Sequence, residues 1–311
     1  MSWAIATLLA CCAALSLAAL LLGAAWVSPL VAAVSQIQAR SKGLRLLDNF
    51  ALQVCRMGLV CLLIFLLLAL GISAYLLQLP VQFWPQELNI QSCYPTLSGL
   101  FGSGIVLGLL LLFWKKLRQH KWLRLALSLL SWLFFCLFWL SSLNLALQTL
   151  SLPQETAATE LTWQQLLVPQ NPWLFWGLTG QFACLALGSC GLGAMLYLLL
   201  RRTKEDFGRD YYRFAQRQAA KWSLLFILQL PFWALVSFKF RPWPQFLQSP
   251  LEQILASAAL LLLLAALGLG LRLLRSQHPM RHKLSPAGCA LLNWLGLSCL
   301  CLSLAWVLLY P

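Results

Sequence analysis

The sequence predicts an all-α integral membrane protein. Eight transmembrane helices form two four-helix bundles related by a direct, parallel repeat, with both termini outside. Three observations predict this. The 311 residues are 61% apolar and only 10% charged, against about 45–50% and about 25% in soluble domains. Eight apolar segments punctuate the chain. The basic residues gather in alternate connections. The composition excludes a cytosolic globular enzyme, a disordered chain and a secreted disulfide scaffold.

The apolar segments run approximately over 3–34, 57–79, 97–114, 125–148, 173–200, 222–240, 251–271 and 286–309. Each can cross about 30 Å of hydrocarbon as a helix. A helix is the open element that satisfies its own backbone in lipid. The first and fifth segments are long enough to tilt or to project from the bilayer. Leu8-Leu9-Ala10-Cys11 looks like a lipoprotein cleavage box, but Met1-Ser2-Trp3 lacks the basic residues of a signal peptide. The first span is therefore expected to be retained.

The net charge is +14. Of the 22 basic residues, all but Lys239 and Arg241 fall in the connections following spans one, three, five and seven. The opposite connections hold Glu87, Glu155, Glu160 and Glu252. The positive-inside rule makes the basic side cytoplasmic and the termini external, as an even number of spans requires. A bacterial inner membrane is the expected location and lipids the immediate partners. Nucleic-acid binding is not expected, because no soluble basic domain exists to carry it.

The halves resemble each other. Trp84-Pro85-Gln86 is echoed by Trp243-Pro244-Gln245, Gln119-His120 by Gln277-His278, and Phe50-Ala51 by Phe214-Ala215. The offsets are close to half the chain. Copies of four helices share orientation and relate by an axis along the membrane normal. The expected organisation is a first repeat over 1–148, an extracytoplasmic linker over 149–172 and a second repeat over 173–311. Within the linker, Trp163, Leu166 and Leu167 suggest a short interfacial helix.

Chemistry-bearing residues are few. Haem held within a bundle needs axial ligands such as histidine. His120, His278 and His282 all lie in the basic connections, so bound haem is not expected. Ten of the 11 cysteines fall in apolar stretches and no CxxC occurs, which reads as small buried hydrophobes without metal or covalent haem. Glu252 follows Ser249-Pro250 in the first turn of the seventh span, where a helix dipole favours a carboxylate. Its alternative role is proton or cation entry. Gln181, Gln229, Asn144 and Asn293 are neutral polar residues inside spans. Gln229 precedes Pro231, which should kink the sixth helix. The kink either lines a cleft for a quinone or small ligand, or serves interhelical hydrogen bonding. Gln181, Gln229 and Glu252 are thus the ligand candidates. No catalytic nucleophile–base pair or phosphate loop is present.

Gly104-x-x-x-Gly108, and Gly180 with Gly188, predict close helix packing. Arg209, Arg213, Arg217 and Lys221 recur every four residues and share a helix face. That face suits an anionic leaflet, a cytoplasmic partner or a quinol headgroup. Trp84, Trp173, Trp176 and Trp243 lie near span ends, as in an aromatic belt.

In overall layout the chain resembles the membrane-anchor subunits of polysulfide-reductase and dimethyl-sulfoxide-reductase type respiratory complexes. The resemblance implies two four-helix bundles, no haem of its own, a quinol pocket between helices and redox partner subunits. It transfers no residue assignments. The doubled bundle is also similar in plan to the large subunits of cytochrome bd, whose mid-span histidine and methionine pairs are absent here. The expected function is a haem-free subunit of a redox complex. A transporter built from two parallel repeats and a structural scaffold are the alternatives.

Overall fold

The computed structural model describes residues 2–76, 94–151, 169, 172–202, 207–240, 250–276, 279, 282 and 284–309. Among these the secondary structure is entirely helical, and eight helical segments are long and apolar enough to cross a membrane. They are α1 (Ser2–Lys42), α2 (Arg45–Leu76), α3 (Tyr94–Leu112), α4 (Lys121–Ser151), α5 (Pro172–Arg201), a broken sixth segment, α8 (Pro250–Arg275) and α9 (Leu284–Leu309). The sixth comprises α6 (Arg209–Ser223), a 3-10 stretch (Leu224–Leu228) and α7 (Gln229–Phe240). The interfacial helix expected around Trp163, and the Trp84 and Trp243 motifs, lie outside the described residues.

Three helices overrun the expected segments furthest. The first helix reaches Lys42, the second begins at Arg45, and the sixth segment begins at Arg209. Arg45–Arg56, expected as a connection, is therefore helical. Leu47, Phe50, Ala51, Val54 and Cys55 give this extension a buried face. Hydropathy marks where lipid contact ends, whereas an amphipathic helix continues as long as one face has something to cover. Gly43, at φ +63°, terminates α1; that left-handed conformation is disfavoured for residues with a Cβ.

Within the first half, α1 packs on α2 and α4, and α3 packs on α4 and α2. Within the second, α5 packs on both parts of the sixth segment and on α9, and α8 packs on α6 and α9. The halves meet chiefly where α1 crosses α5, with α1–α9 and α4–α5 contacts flanking it. Along this seam Trp26, Phe182 and Trp139 form a three-ring cluster in which the two indoles also stack on each other, 5.9 Å apart. Phe182 lies 5.3 Å from Trp26 and 3.7 Å from Trp139, with interplanar angles of 15° and 6°. Trp139 donates Nε1–H to Thr179 Oγ1 at 3.4 Å. On the flank, Trp294 donates to the Ala13 carbonyl at 3.1 Å and Ser16 shares a 2.7 Å hydrogen bond with Ser298.

Glycine sets the closest approaches, though not at every expected position. A Cβ at Gly188 would stand 2.5–2.7 Å from Phe226 atoms, and one at Gly180 would meet the Phe232 ring at 2.5 Å. The tightest glycine on α5 is Gly191, against the Ser223 amide. On α3 the close approach is made by Gly99, whose Cβ would sit 2.5 Å from the Phe138 amide nitrogen. Gly104 meets Leu62 at 3.2 Å, but nothing lies within 4 Å of Gly108. Gly108 is therefore not a packing glycine among the described residues. Spacing alone could not tell which glycines of α3 turn toward α4.

Candidate functional site

The sixth segment breaks where its sequence requires. Pro231 has no N–H to donate, and its ring clashes with the carbonyl four residues back. That carbonyl belongs to Ile227, inside the 3-10 stretch Leu224–Leu228. Gly188 opposite, lacking a side chain, lets the Phe226 backbone lie against α5.

Gln229 is the first residue of α7, immediately after this break. It is completely buried, and neither its amide oxygen nor its amide nitrogen has a hydrogen-bond partner. One turn on, along the same helix face, the Trp233 Nε1–H is also buried and unpartnered. A polar group buried without a partner costs about 1–3 kcal/mol. The kink thus gathers two donors and one acceptor beside the apolar Phe226 and Phe232 of its own segment. Chemically, these groups complement a small molecule that both accepts and donates hydrogen bonds.

The other ligand candidates do not join it. Gln181 lies at a similar depth, since Gly180 beside it faces Phe232, but it is only half-buried and makes no hydrogen bond with Gln229. Glu252 is buried in the first turn of α8. Gly270, eighteen residues further along that helix, touches Leu224. At about 1.5 Å per residue Glu252 stands some 27 Å from that contact, well beyond Gln229. Asn293 is satisfied by its own helix, donating to the Cys289 carbonyl at 2.8 Å.

The basic face of α6 is divided. Arg209 and Lys221 are exposed, while Arg213 is half-buried. Arg217 donates through Nε and Nη2 to the Ser276 carbonyl at 3.3 and 2.7 Å. Ser276 follows the last turn of α8, so Arg217 caps that helix rather than facing a partner. Only part of the stripe is therefore a free cationic surface. Opposite it, α6 buries Tyr211, Tyr212, Ala215, Gln216, Ala219 and Ala220.

One constellation was not anticipated from sequence. Arg124, 3% exposed at the start of α4, forms a bidentate ion pair with Asp48, 27% exposed, in the first turn of α2. The distances are 3.0 and 3.2 Å. The guanidinium also lies 4.8 Å from the Trp114 ring centroid. Nearby, Gln36 of α1 donates to Ser128 of α4 at 3.3 Å, and Arg40 stacks 4.4 Å over Trp122. These contacts bring together the connections that follow α1 and α3. Asp48 being the lone acid of the first half's basic connections was the available signal.

Among the described residues no group of three or more histidine, cysteine or carboxylate side chains is placed to hold a metal ion. The ten described cysteines are free thiols. No family model, no characterised protein and no solved structure matches the chain.

Proposed function

We propose that the chain is a haem-free integral subunit of a redox complex in a bacterial inner membrane, with a quinol-type ligand bound at the break in the sixth segment. The observation that carries this reading is the fully buried, unpartnered amide of Gln229 beside the unpartnered Trp233 N–H. A quinone offers carbonyl acceptors, and its reduced form offers hydroxyl donors. An amide and an indole N–H complement both within apolar walls. In this reading the exposed Arg209 and Lys221 face cytoplasmic partner subunits, and both termini lie outside.

The parallel repeat is supported by reciprocal contacts: α1 meets α5, α1 meets α9, and α4 meets α5. That symmetry would also suit a transporter with its path at the repeat seam. The Trp26–Phe182–Trp139 stack fills this seam, as does Gly23, whose Cβ would stand 2.9 Å from the Ala186 Cα. A bound-subunit role therefore fits better than an open path.

The test is thermal stability of purified protein with a short-chain quinone analogue. A ligand that binds only the folded state adds about 2.7 kcal/mol at a hundred times its Kd. Wild type should be stabilised and Gln229→Leu should not, while folding as well as wild type without ligand. Equal stabilisation of both proteins, or solute accumulation by the lone chain in liposomes, would refute the proposal. Co-purification with iron–sulfur or cytochrome subunits would support its assembly half.

A further inference from the structure

A second site lies at the C-terminal end of α8, away from the Gln229 break. Gly268, Leu271, Arg272, Arg275, Ser276 and His282 line a groove of about 620 Å³. The first four recur at helical spacing, so they occupy one face of α8. One to two turns back, the same face presents Leu261 and Leu264, both exposed. It is therefore apolar along the helix and cationic at its end. Gly268 sits at the junction with nothing within 4 Å of its Cβ position, which leaves a notch between the two zones.

The cations are available. Arg272 and Arg275 are exposed and enter no ion pair among the described residues. The Ser276 carbonyl, which would repel an anion, accepts instead from Arg217 at 2.7 Å. That bond also fixes the end of α8, so the groove is held in shape by a contact that leaves its arginines unused.

We propose that this groove binds an anionic glycerophospholipid. Its phosphate sits among Arg272, Arg275 and His282, and its acyl chains run past Gly268 along Leu264 and Leu261. Charge selects the headgroup and the leucine stripe selects a lipid over a soluble anion. Arginine suits this role because its planar fork can donate two hydrogen bonds to a phosphate.

The test is native mass spectrometry of the full chain, delipidated in detergent and then offered phosphatidylglycerol or phosphatidylcholine of identical acyl chains. Wild type should retain phosphatidylglycerol preferentially. Arg272→Ala with Arg275→Ala should lower the retained fraction about tenfold. Gly268→Leu, whose Cβ meets no protein atom within 4 Å and which leaves every charge in place, should lower it similarly by filling the notch. Lys115→Ala, removing an exposed cation of the first half outside the groove, should leave it unchanged. Inorganic phosphate at the lipid concentration should not displace the lipid. The proposal is overturned by undiminished retention in the groove variants, by equal retention of phosphatidylcholine, by an equal loss in Lys115→Ala, or by displacement with phosphate alone.

Discussion

Removing Asp48 should destabilise the protein more than removing its partner. At 3.0 Å the pair's gross attraction is about 5.5 kcal/mol for an effective dielectric near 20. Desolvation offsets much of this, so the informative quantity is what each truncation leaves behind. Asp48→Leu strands a guanidinium that is 97% buried, since Arg124 is 3% exposed. Breaking a buried pair this way costs about 3–5 kcal/mol. Arg124→Leu strands a carboxylate that is 27% exposed. Asp48 can then hydrate, and it keeps the favourable field of the α2 N-terminus. That variant should lose about 1–2 kcal/mol, including the guanidinium's stacking on Trp114. The double variant should fall short of the sum by about 2 kcal/mol, because neither charge is left stranded. Equilibrium unfolding in mixed micelles, followed by tryptophan emission, measures all three. A coupling below about 0.5 kcal/mol, or a larger loss for Arg124→Leu than for Asp48→Leu, would refute the reasoning.

The seam and the glycines give further expectations. Phe182→Ala removes one ring of the Trp26–Phe182–Trp139 cluster and should cost about 3–5 kcal/mol in the same unfolding assay. It should also shift tryptophan emission, because both neighbours lose a ring face. Gly191→Ala drives a methyl into the Ser223 amide and should destabilise by about 1–3 kcal/mol through overpacking. Gly108→Ala meets open space and should stabilise by up to about 1 kcal/mol through helix propensity. Equal effects at the two glycines would contradict the packing described here.

The spans were legible because lipid imposes one dominant rule, an apolar run long enough to bury its own backbone. Their ends were less so. Arg45–Arg56 carries enough charge to read as a connection, yet it is helical because one face covers neighbouring helices, whereas the four-residue spacing of Arg209–Lys221 marked a helix face and the structure has a helix there. The Asp48–Arg124 pair joins residues 76 positions apart, and no local periodicity records such a meeting. The arginine stripe of α6 was visible as spacing, but the capture of Arg217 by the end of α8 depends on how two helices cross. Pro231 is the opposite case. Its effect is local and chemical, so the break beside Gln229 could be read from the chain itself.

An unpartnered amide alone does not mark a ligand site, and the protein contains a comparison that separates the two meanings. Gln216, like Gln229, is fully buried with neither amide atom bonded. It lies in the continuous helix α6, among Ala215, Ala219 and Tyr212, on the side packed against α5 and α8. Nothing there breaks the backbone. Gln229 sits at a proline break with an indole N–H one turn away. If buried amides here are merely tolerated defects, leucine at either position should leave any quinone effect intact. If the break is a binding site, only Gln229→Leu should abolish the quinone-induced stabilisation. Both substitutions should be neutral or stabilising without ligand, since each removes an unsatisfied polar group. The difference between the two ligand responses is therefore the quantity that ties the kink to function.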